Sequence, residues 1–150
     1  MAQFAEINIL NKVIRLVDAD DNDVINNGGH QSEQAANYFG TKIKLLSEEN
    51  KWVESSYNSE FRANGAIIGG YYDPTNDVFI APKPYNSWTL NENYKWQSPV
   101  VFPNVETVTV GEVTETLIVR WDEDNQKWKG FDGVNNIYDW NPNTLSWNII

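Results

Sequence analysis

One repeated frame constrains the fold of this chain more than any other feature: two aromatic residues seven positions apart, with turn-forming residues between them. In each full copy the first aromatic residue is followed by Asp or Asn, then Pro or Glu, then Thr, Asp or Asn. These are the residue preferences of a type I turn, and a four-residue loop built on it places the two aromatic residues opposite each other in a β-hairpin. The frame therefore predicts three antiparallel hairpins, from Tyr72 to Phe79, from Trp121 to Trp128 and from Trp140 to Trp147.

Two other segments predict hairpins from their own patterns. FAEINILNKVIRLVD (4–18) alternates apolar and polar residues and is broken at Leu10-Asn11. VETVTVGEVTETLIVRW (105–121) is rich in Val and Thr and is broken at Gly111-Glu112.

Shortened copies of the frame stand at Leu46 to Trp52 and Leu90 to Trp96, each one residue shorter than the full copies. We expect a different strand register in these two hairpins.

Prolines stand at positions 82, 84, 99 and 103. Because proline lacks the amide hydrogen that a strand ladder requires, these stretches are predicted to be edge strands or connections.

One segment predicts a helix. In SEQAANYFG (32–40), Ser32 suits the N-cap, Glu33 suits the positive first turn, and Gly40 suits a left-handed exit. The preceding DADDNDVINNGG (18–29) reads as a loop of Asp, Asn and Gly.

These patterns predict a mainly β fold of successive antiparallel β-hairpins with one short helix near the N-terminus. We expect two regions. Residues 1–46 hold the first hairpin, the acidic loop and the helix, and residues 47–150 hold the aromatic-rich hairpins, ending in a Trp hairpin at 139–150 that looks like an added copy.

Composition excludes several classes of function. The 150 residues include no cysteine and one histidine, His30, which excludes disulfides, thiolate nucleophiles and histidine-rich metal sites. The net charge of −10 makes nucleic acid and anionic membranes poor partners. MAQFAEINIL (1–10) has no features of a signal peptide, and no apolar run approaches the roughly 20 residues needed to span a bilayer.

Motifs for metal binding and catalysis are incomplete. Asp18, Asp20 and Asn22 begin like a calcium loop, but Asp23 stands where the turn glycine belongs and Gly29 where the bidentate Glu belongs. An acidic solvated turn is the better interpretation. Nucleophile–base signatures and phosphate loops are absent, and no pair of carboxylates is singled out by spacing. We expect no cofactor and no enzymatic activity.

The aromatic residues leave three roles open: structural pairs, stacking platforms for sugar rings, and a protein–protein patch. Arg62, one of three arginines, is a further candidate, because a guanidinium in an acidic chain binds a carboxylate either internally or across an interface. The candidate interface or ligand-stacking residues are Trp88, Trp96, Trp121, Trp128, Trp140, Trp147, Tyr72, Phe79 and Arg62.

Several of these residues belong to a wider set of short motifs. The set comprises Ser56-Tyr57-Asn58, Phe61-Arg62, Gly69-Gly70, Tyr72-Asp73, Phe79 to Tyr85, Ser87 to Glu92 and Trp121 to Trp128. Together with the N-terminal hairpin, loop and helix, it resembles a family of short acidic proteins encoded by tailed phages of marine bacteria, especially cyanobacteria. The chain departs from the family pattern at Asn91 to Trp96, which is one residue short, and in its last hairpin.

The resemblance implies an accessory virion protein of the tail, the neck or the capsid surface, made in the host cytoplasm. We therefore expect a non-enzymatic structural protein that acts through contacts with other virion proteins, with homo-oligomerisation left open. An alternative is a carbohydrate-binding module that recognises a host surface glycan by Trp and Tyr stacking. A third interpretation is a small glycan hydrolase.

Overall fold

A computed structural model describes all residues from 1 to 150. It confirms the predicted fold class, a mainly β chain of antiparallel hairpins with its helices near the N-terminus. The chain divides into two compact units. The first comprises 1–83 and 90–96, and the second comprises 84–89 and 97–150.

The first unit contains seven elements: β1 (Ala2–Ile7), β2 (Val13–Ala19), α1 (Asp21–Asn26), α2 (Glu33–Lys42), β3 (Lys51–Ser55), β4 (Tyr71–Asp73) and β5 (Val78–Ile80). Three of the strands form a sheet in the order β2-β1-β3, and β4 and β5 form a small hairpin. The two helices follow β2 in the chain.

The middle strand β1 is buried on both faces. Phe4, Ala5, Glu6 and Ile7 are all 0% exposed, so the alternation seen in the sequence does not separate a core face from a solvent face. On one face Phe4 belongs to a core cluster with Phe39 of α2 and Trp52, and the Phe4 and Phe39 rings stack at 4.4 Å between centroids. On the other face Ala5 and Ile7 belong to a second core cluster, whose other members are Val13, Val53, Ala66, Tyr72 and Phe79. The hairpin predicted from 4–18 is confirmed as the β1–β2 pair.

The helical region differs from the prediction in two places. Helix α1 lies within 18–29, a segment that we predicted as a loop, and it begins where the Asp20 side chain accepts the backbone N–H of Asn22 at 2.8 Å. Ser32 caps α2 as predicted, accepting from Ala35 N at 3.0 Å. Gly40 does not end α2 but lies inside it, where its Cα faces the Trp52 ring and α2 continues to Lys42.

The short frame at Leu46 to Trp52 is not a hairpin, which corrects the prediction. A turn does form at 47–50, but the strand after it, β3, pairs with β1. Contacts distant in sequence determine this pairing, because Val53 packs in one and Trp52 in the other of the two core clusters that contain residues of β1. The predicted boundary after residue 46 therefore differs from the compact unit, which runs on to residue 83.

The second short frame, Leu90 to Trp96, is a hairpin, formed by β6 (Thr89–Leu90) and β7 (Trp96–Gln97). Asn91 N donates to Lys95 O at 2.9 Å, and Tyr94 adopts φ 58°. The loop of this hairpin therefore has three residues and ends in a left-handed residue, whereas the loops of the full frames have four. This difference explains why the frame is one residue shorter.

The second unit contains the strands β8 (Thr107–Val110), β9 (Val113–Thr116), β10 (Ile118–Asp122), β11 (Lys127–Phe131), β12 (Ile137–Asn141) and β13 (Ser146–Ile149). The last four form an antiparallel sheet in the order β10-β11-β12-β13, and β8 and β9 form a separate two-stranded hairpin. The sequence suggested that the terminal Trp hairpin is an added copy, but it is part of this sheet, because β12 also pairs with β11. Neither helix of the chain is long and apolar enough to cross a membrane.

Candidate interaction surface

All three full copies of the aromatic frame form the predicted cross-strand pairs. Tyr72 lies opposite Phe79, Trp121 opposite Trp128, and Trp140 opposite Trp147. The ring centroids of the three pairs are 5.2, 5.1 and 5.1 Å apart, within the contact range of aromatic pairs. The frame is therefore a local device that closes a four-residue loop and joins two large apolar side chains.

The loop chemistry explains why the frame begins with Asp or Asn. Asp73 Oδ1 accepts from Thr75 N at 2.9 Å, Asp122 Oδ1 from Asn125 N at 3.1 Å, and Asn141 Oδ1 from Asn143 N at 2.9 Å. In all three loops the fourth residue is left-handed, with φ 54° at Asp77, 49° at Gln126 and 53° at Leu145.

In the second unit the structure brings five predicted tryptophans together. Trp121, Trp128 and Trp140 are 7%, 6% and 5% exposed, and the half-buried Trp88 and Trp147 pack against them. Trp88 meets Trp121 and Trp128 edge-on, at 6.2 and 6.0 Å between centroids. These rings form the core of the sheet, so three of the proposed stacking platforms present almost no open ring face.

Indole N–H groups connect the segment 98–105 to this core. Trp128 Nε1 donates to Val100 O at 2.9 Å, and Trp147 Nε1 donates to Val105 O at 2.7 Å. The segment is irregular and bears prolines, so these side-chain donors replace the strand pairing that its backbone lacks. The proline-rich stretch is a connection, as predicted.

Glu123 has a role that sequence reasoning missed. Where the other full copies have proline, this copy has Glu123, whose carboxylate accepts from Ser87 N at 2.8 Å, Ser87 Oγ at 2.6 Å and Trp121 Nε1 at 2.7 Å. In the sequence, the only indication of this role was that Glu stands where the other full copies have Pro.

The remaining candidates lie in the first unit. Tyr72 and Phe79 belong to its core, at 9% and 1% exposure. Trp96 donates from Nε1 to Ala81 O at 2.7 Å, and Lys83 Nζ lies 5.4 Å from the centre of its ring. Of these three aromatic residues, Tyr72 and Phe79 therefore belong to a core cluster and Trp96 does not.

Arg62 pairs internally. Its Nε donates to Asp77 Oδ1 at 2.7 Å, Nη1 to Glu54 O at 2.9 Å and Nη2 to Gln31 O at 3.4 Å, and the side chain is only 10% exposed. Burial raises the pKa of Asp77, but the hydrogen bonds from Arg62 and Tyr72 outweigh that effect and leave the pKa below its ordinary value. Of the two roles left open for Arg62, the structure shows the internal one.

The metal candidates have other partners. Asp18 accepts from the Tyr57 hydroxyl, and Asp20 caps α1. No group of three or more His, Asp or Glu side chains in the chain is arranged to hold a metal ion.

Two buried carboxylates escaped the sequence analysis. Glu6, fully buried, accepts from Leu46 N at 2.6 Å and Asn50 Nδ2 at 2.7 Å, with Arg15 Nη2 at 2.5 Å. Glu54, 3% exposed, accepts from Gln31 N at 2.5 Å and lies 2.6 Å from His30 Nδ1. Each carboxylate fastens an irregular segment to the central sheet. The only signal was an acid inside an apolar strand.

The second unit also carries an open groove of about 570 Å³, here called the proline groove. None of its lining residues is charged, and three are exposed and apolar: Val101 at 83%, Leu145 at 57% and Phe102 at 47%. Trp140 lines it and, unlike Trp121, Trp128 and Trp147, donates no hydrogen bond from Nε1 within the chain. The lining residues are Pro99, Val100, Val101, Phe102, Asn104, Trp140, Pro142 and Leu145.

Comparison of the chain with models of known protein families, with curated proteins and with solved structures finds no significant match.

Proposed function

We propose that this chain is a non-enzymatic accessory protein of a phage virion, and that it acts through protein–protein contacts made by the proline groove. The observation that carries the contact surface is an uncharged, apolar groove on a chain of net charge −10. Contiguous apolar surface on a soluble protein commonly marks a contact with another protein. The motif resemblance to short acidic phage proteins supports the viral setting.

Leu145 is the lining residue that most strongly indicates a role of the groove in binding. It is the fourth loop residue of its hairpin, with φ 53°, and the equivalent residues in the other full copies are the polar Asp77 and Gln126. A left-handed backbone favours Gly, Asn or Asp and disfavours a large aliphatic side chain. An exposed leucine at this position costs conformational energy and stabilises nothing in the free chain's core, which fits a role in binding.

The chemistry of the groove fits an extended, proline-bearing or apolar segment of another virion protein. Prolines 99 and 142 and the ring of Phe102 supply flat apolar walls, and Trp140, whose Nε1–H donates no hydrogen bond within the chain, also lines the groove. Aromatic-lined grooves bind extended proline-rich segments in this way, because such segments lose little conformational entropy and expose their carbonyls.

Burial of the paired rings weighs against the carbohydrate-binding alternative. A sugar stacks on an open ring face, and Trp121, Trp128 and Trp140 are at most 7% exposed. No specific arrangement of the structure favours the hydrolase alternative.

The test is incorporation of groove variants into particles. Val101→Asp combined with Leu145→Asp places two charges in the groove, and the second change also suits the left-handed backbone, so the fold should be kept. Gln126→Asp is the matched control, since Gln126 has the same loop position and φ 49° but does not line the groove. Burying unpaired charge at a contact costs more than about 2 kcal/mol, so we expect incorporation to fall by more than about tenfold.

Particles are assembled in cells that supply the wild-type or variant protein, and incorporation is measured by quantitative mass spectrometry. The control should incorporate like wild type. Wild-type incorporation of a folded double variant would overturn the groove as the contact surface.

A further inference from the structure

The β8–β9 hairpin is the most solvent-exposed β structure of the second unit. Its strands pair only with each other, across a two-residue turn at Gly111-Glu112 with φ 65° at Gly111. Val110 and Val113 at its tip are 63% and 59% exposed. An isolated two-stranded hairpin is marginally stable in water, so this element gains most from a further strand.

The hydrogen-bond pattern shows which groups remain free. Leu117 N donates to Glu106 O at 2.7 Å, and the pairing continues as Val108 with Glu115 and Val110 with Val113. Hydrogen-bonded pairs alternate with non-bonded pairs in an antiparallel ladder, so the intervening Thr107 and Thr109 direct their backbone N–H and C=O away from β9. No backbone group of the chain pairs with them on that side.

The two edges of the hairpin differ in charge. Strand β8 contains neither a charged residue nor a proline, the features that usually protect an exposed edge. Strand β9 carries Glu115 and follows Glu112 in the turn. Pairing of β9 with a copy of itself about Glu115 would place two carboxylates opposite each other, which is unfavourable.

From this geometry we infer that two copies of the chain associate by antiparallel pairing of their β8 edges about a two-fold axis at Val108. In that register Thr107 of each copy exchanges backbone hydrogen bonds with Thr109 of the other, and the two Val108 side chains lie opposite each other. The strand is complementary to itself in charge and in hydrogen-bonding groups, which is the requirement for a two-fold contact. The two hairpins become one four-stranded sheet.

The contact is small. Four residues on each side bury less than the roughly 1,200 Å² of a standard stable interface, so we expect a weak association. The fraction of dimer is then small in dilute solution and rises at high local concentration. The inference does not depend on the proposed function and concerns a different part of the second unit from the proline groove.

Cross-linking tests the register directly, because the wild-type chain has no cysteine. Across the axis the two copies of residue 108 form a non-hydrogen-bonded pair with Cα atoms about 4.5 Å apart, within the range that a disulfide spans. Val108→Cys should therefore form a covalent dimer under mild oxidation. Glu115→Cys, directly opposite on β9 and also half-buried, is the matched control and should cross-link at least about tenfold more slowly.

A second measurement tests the hydrogen bonds without cysteine. Thr109→Pro removes an outward N–H and leaves the β8–β9 ladder bonds in place, while Thr114→Pro makes the same change on the β9 edge. Sedimentation velocity up to about 1 mM should show self-association of the wild type and of Thr114→Pro, and its loss in Thr109→Pro. A wild-type chain that stays monomeric over this range, or equal cross-linking of the two cysteine variants, would refute the inference. If a proline variant fails to fold, the cross-linking comparison alone decides.

Discussion

Arg62 donates from Nε to Asp77 Oδ1 at 2.7 Å, and this bond connects a largely buried arginine to the left-handed residue of the first aromatic hairpin. The same guanidinium binds the carbonyls of Glu54 and Gln31, so one side chain joins the hairpin, the sheet and the segment before α2. The arginine therefore connects three segments of the first unit.

Replacing Arg62 should destabilise the chain. Arg62→Ala removes three hydrogen bonds and leaves the carbonyl of the buried Glu54 without its partner, so we expect a loss of about 2–3 kcal/mol in urea unfolding. Arg62→Lys should recover less than half of it, because an ammonium lacks the guanidinium fork. Arg120→Ala is the control: Arg120 is exposed, and the change should stay within about 0.5 kcal/mol. Equal effects at the two arginines would contradict this assignment.

Gly130 should accept a methyl group only if its neighbours shift. A Cβ at this position would lie 2.7 Å from Leu117 Cδ1, closer than packed atoms approach, and 3.2 Å from Trp147 Cζ3, tighter than most packed contacts. Gly130→Ala should cost about 1–3 kcal/mol and alter tryptophan fluorescence, because Trp147 must move. Gly133→Asn serves as control, since a Cβ at Gly133 meets nothing within 4 Å and Asn tolerates its φ of 82°. An unchanged Gly130→Ala protein would show that the sheet adjusts without strain.

Acid should weaken the second aromatic hairpin through Asp122. The Asn125 side-chain hydrogen bond, followed by that from Lys129, lowers the pKa of Asp122 to about 2. A folded-state pKa below the unfolded value of about 3.9 means that the contribution is complete above about pH 4 and is lost as pH falls through about 2.

Asp122→Asn tests this dependence, because Asn141 accepts the equivalent loop hydrogen bonds in the last hairpin. Melting temperatures measured from about pH 5 to pH 2 should fall less steeply in the variant than in the wild type. Parallel curves would mean that Asp122 does not titrate in the folded chain as stated.

Deleting residues 139–150 should unfold the four-stranded sheet. The deletion removes Trp140, which is 5% exposed, and most of β12, the partner of β11. Large-to-small changes at buried aromatic positions alone cost about 3–5 kcal/mol. Near-ultraviolet circular dichroism and indole NMR shifts should lose the signals of Trp121 and Trp128. Their survival would restore the interpretation of the terminal hairpin as an added unit.

The sequence was informative where structure depends on neighbouring residues. The pairs Trp121–Trp128 and Trp140–Trp147 follow from turn chemistry within eight residues, and the structure has them in the predicted register. The pairing of β3 with β1 was not predictable in this way, because about 45 residues of chain separate the strands and only the shared core selects the partner.

The candidate site was harder to predict than the fold. The tryptophans were identified, but their burial depends on how the sheet and the segment 98–105 pack, which no local pattern encodes. Likewise Glu6 is fully buried because β1 became the central strand, so its partners Leu46 and Asn50 come from a distant turn.

The proposal that the chain is a component of a virion is best tested by quantitative mass spectrometry of particles purified from the phage that encodes it. We expect the chain to remain with washed, density-purified particles at a fixed number of copies per particle. A chain that is abundant in the infected-cell lysate and absent from those particles would contradict it.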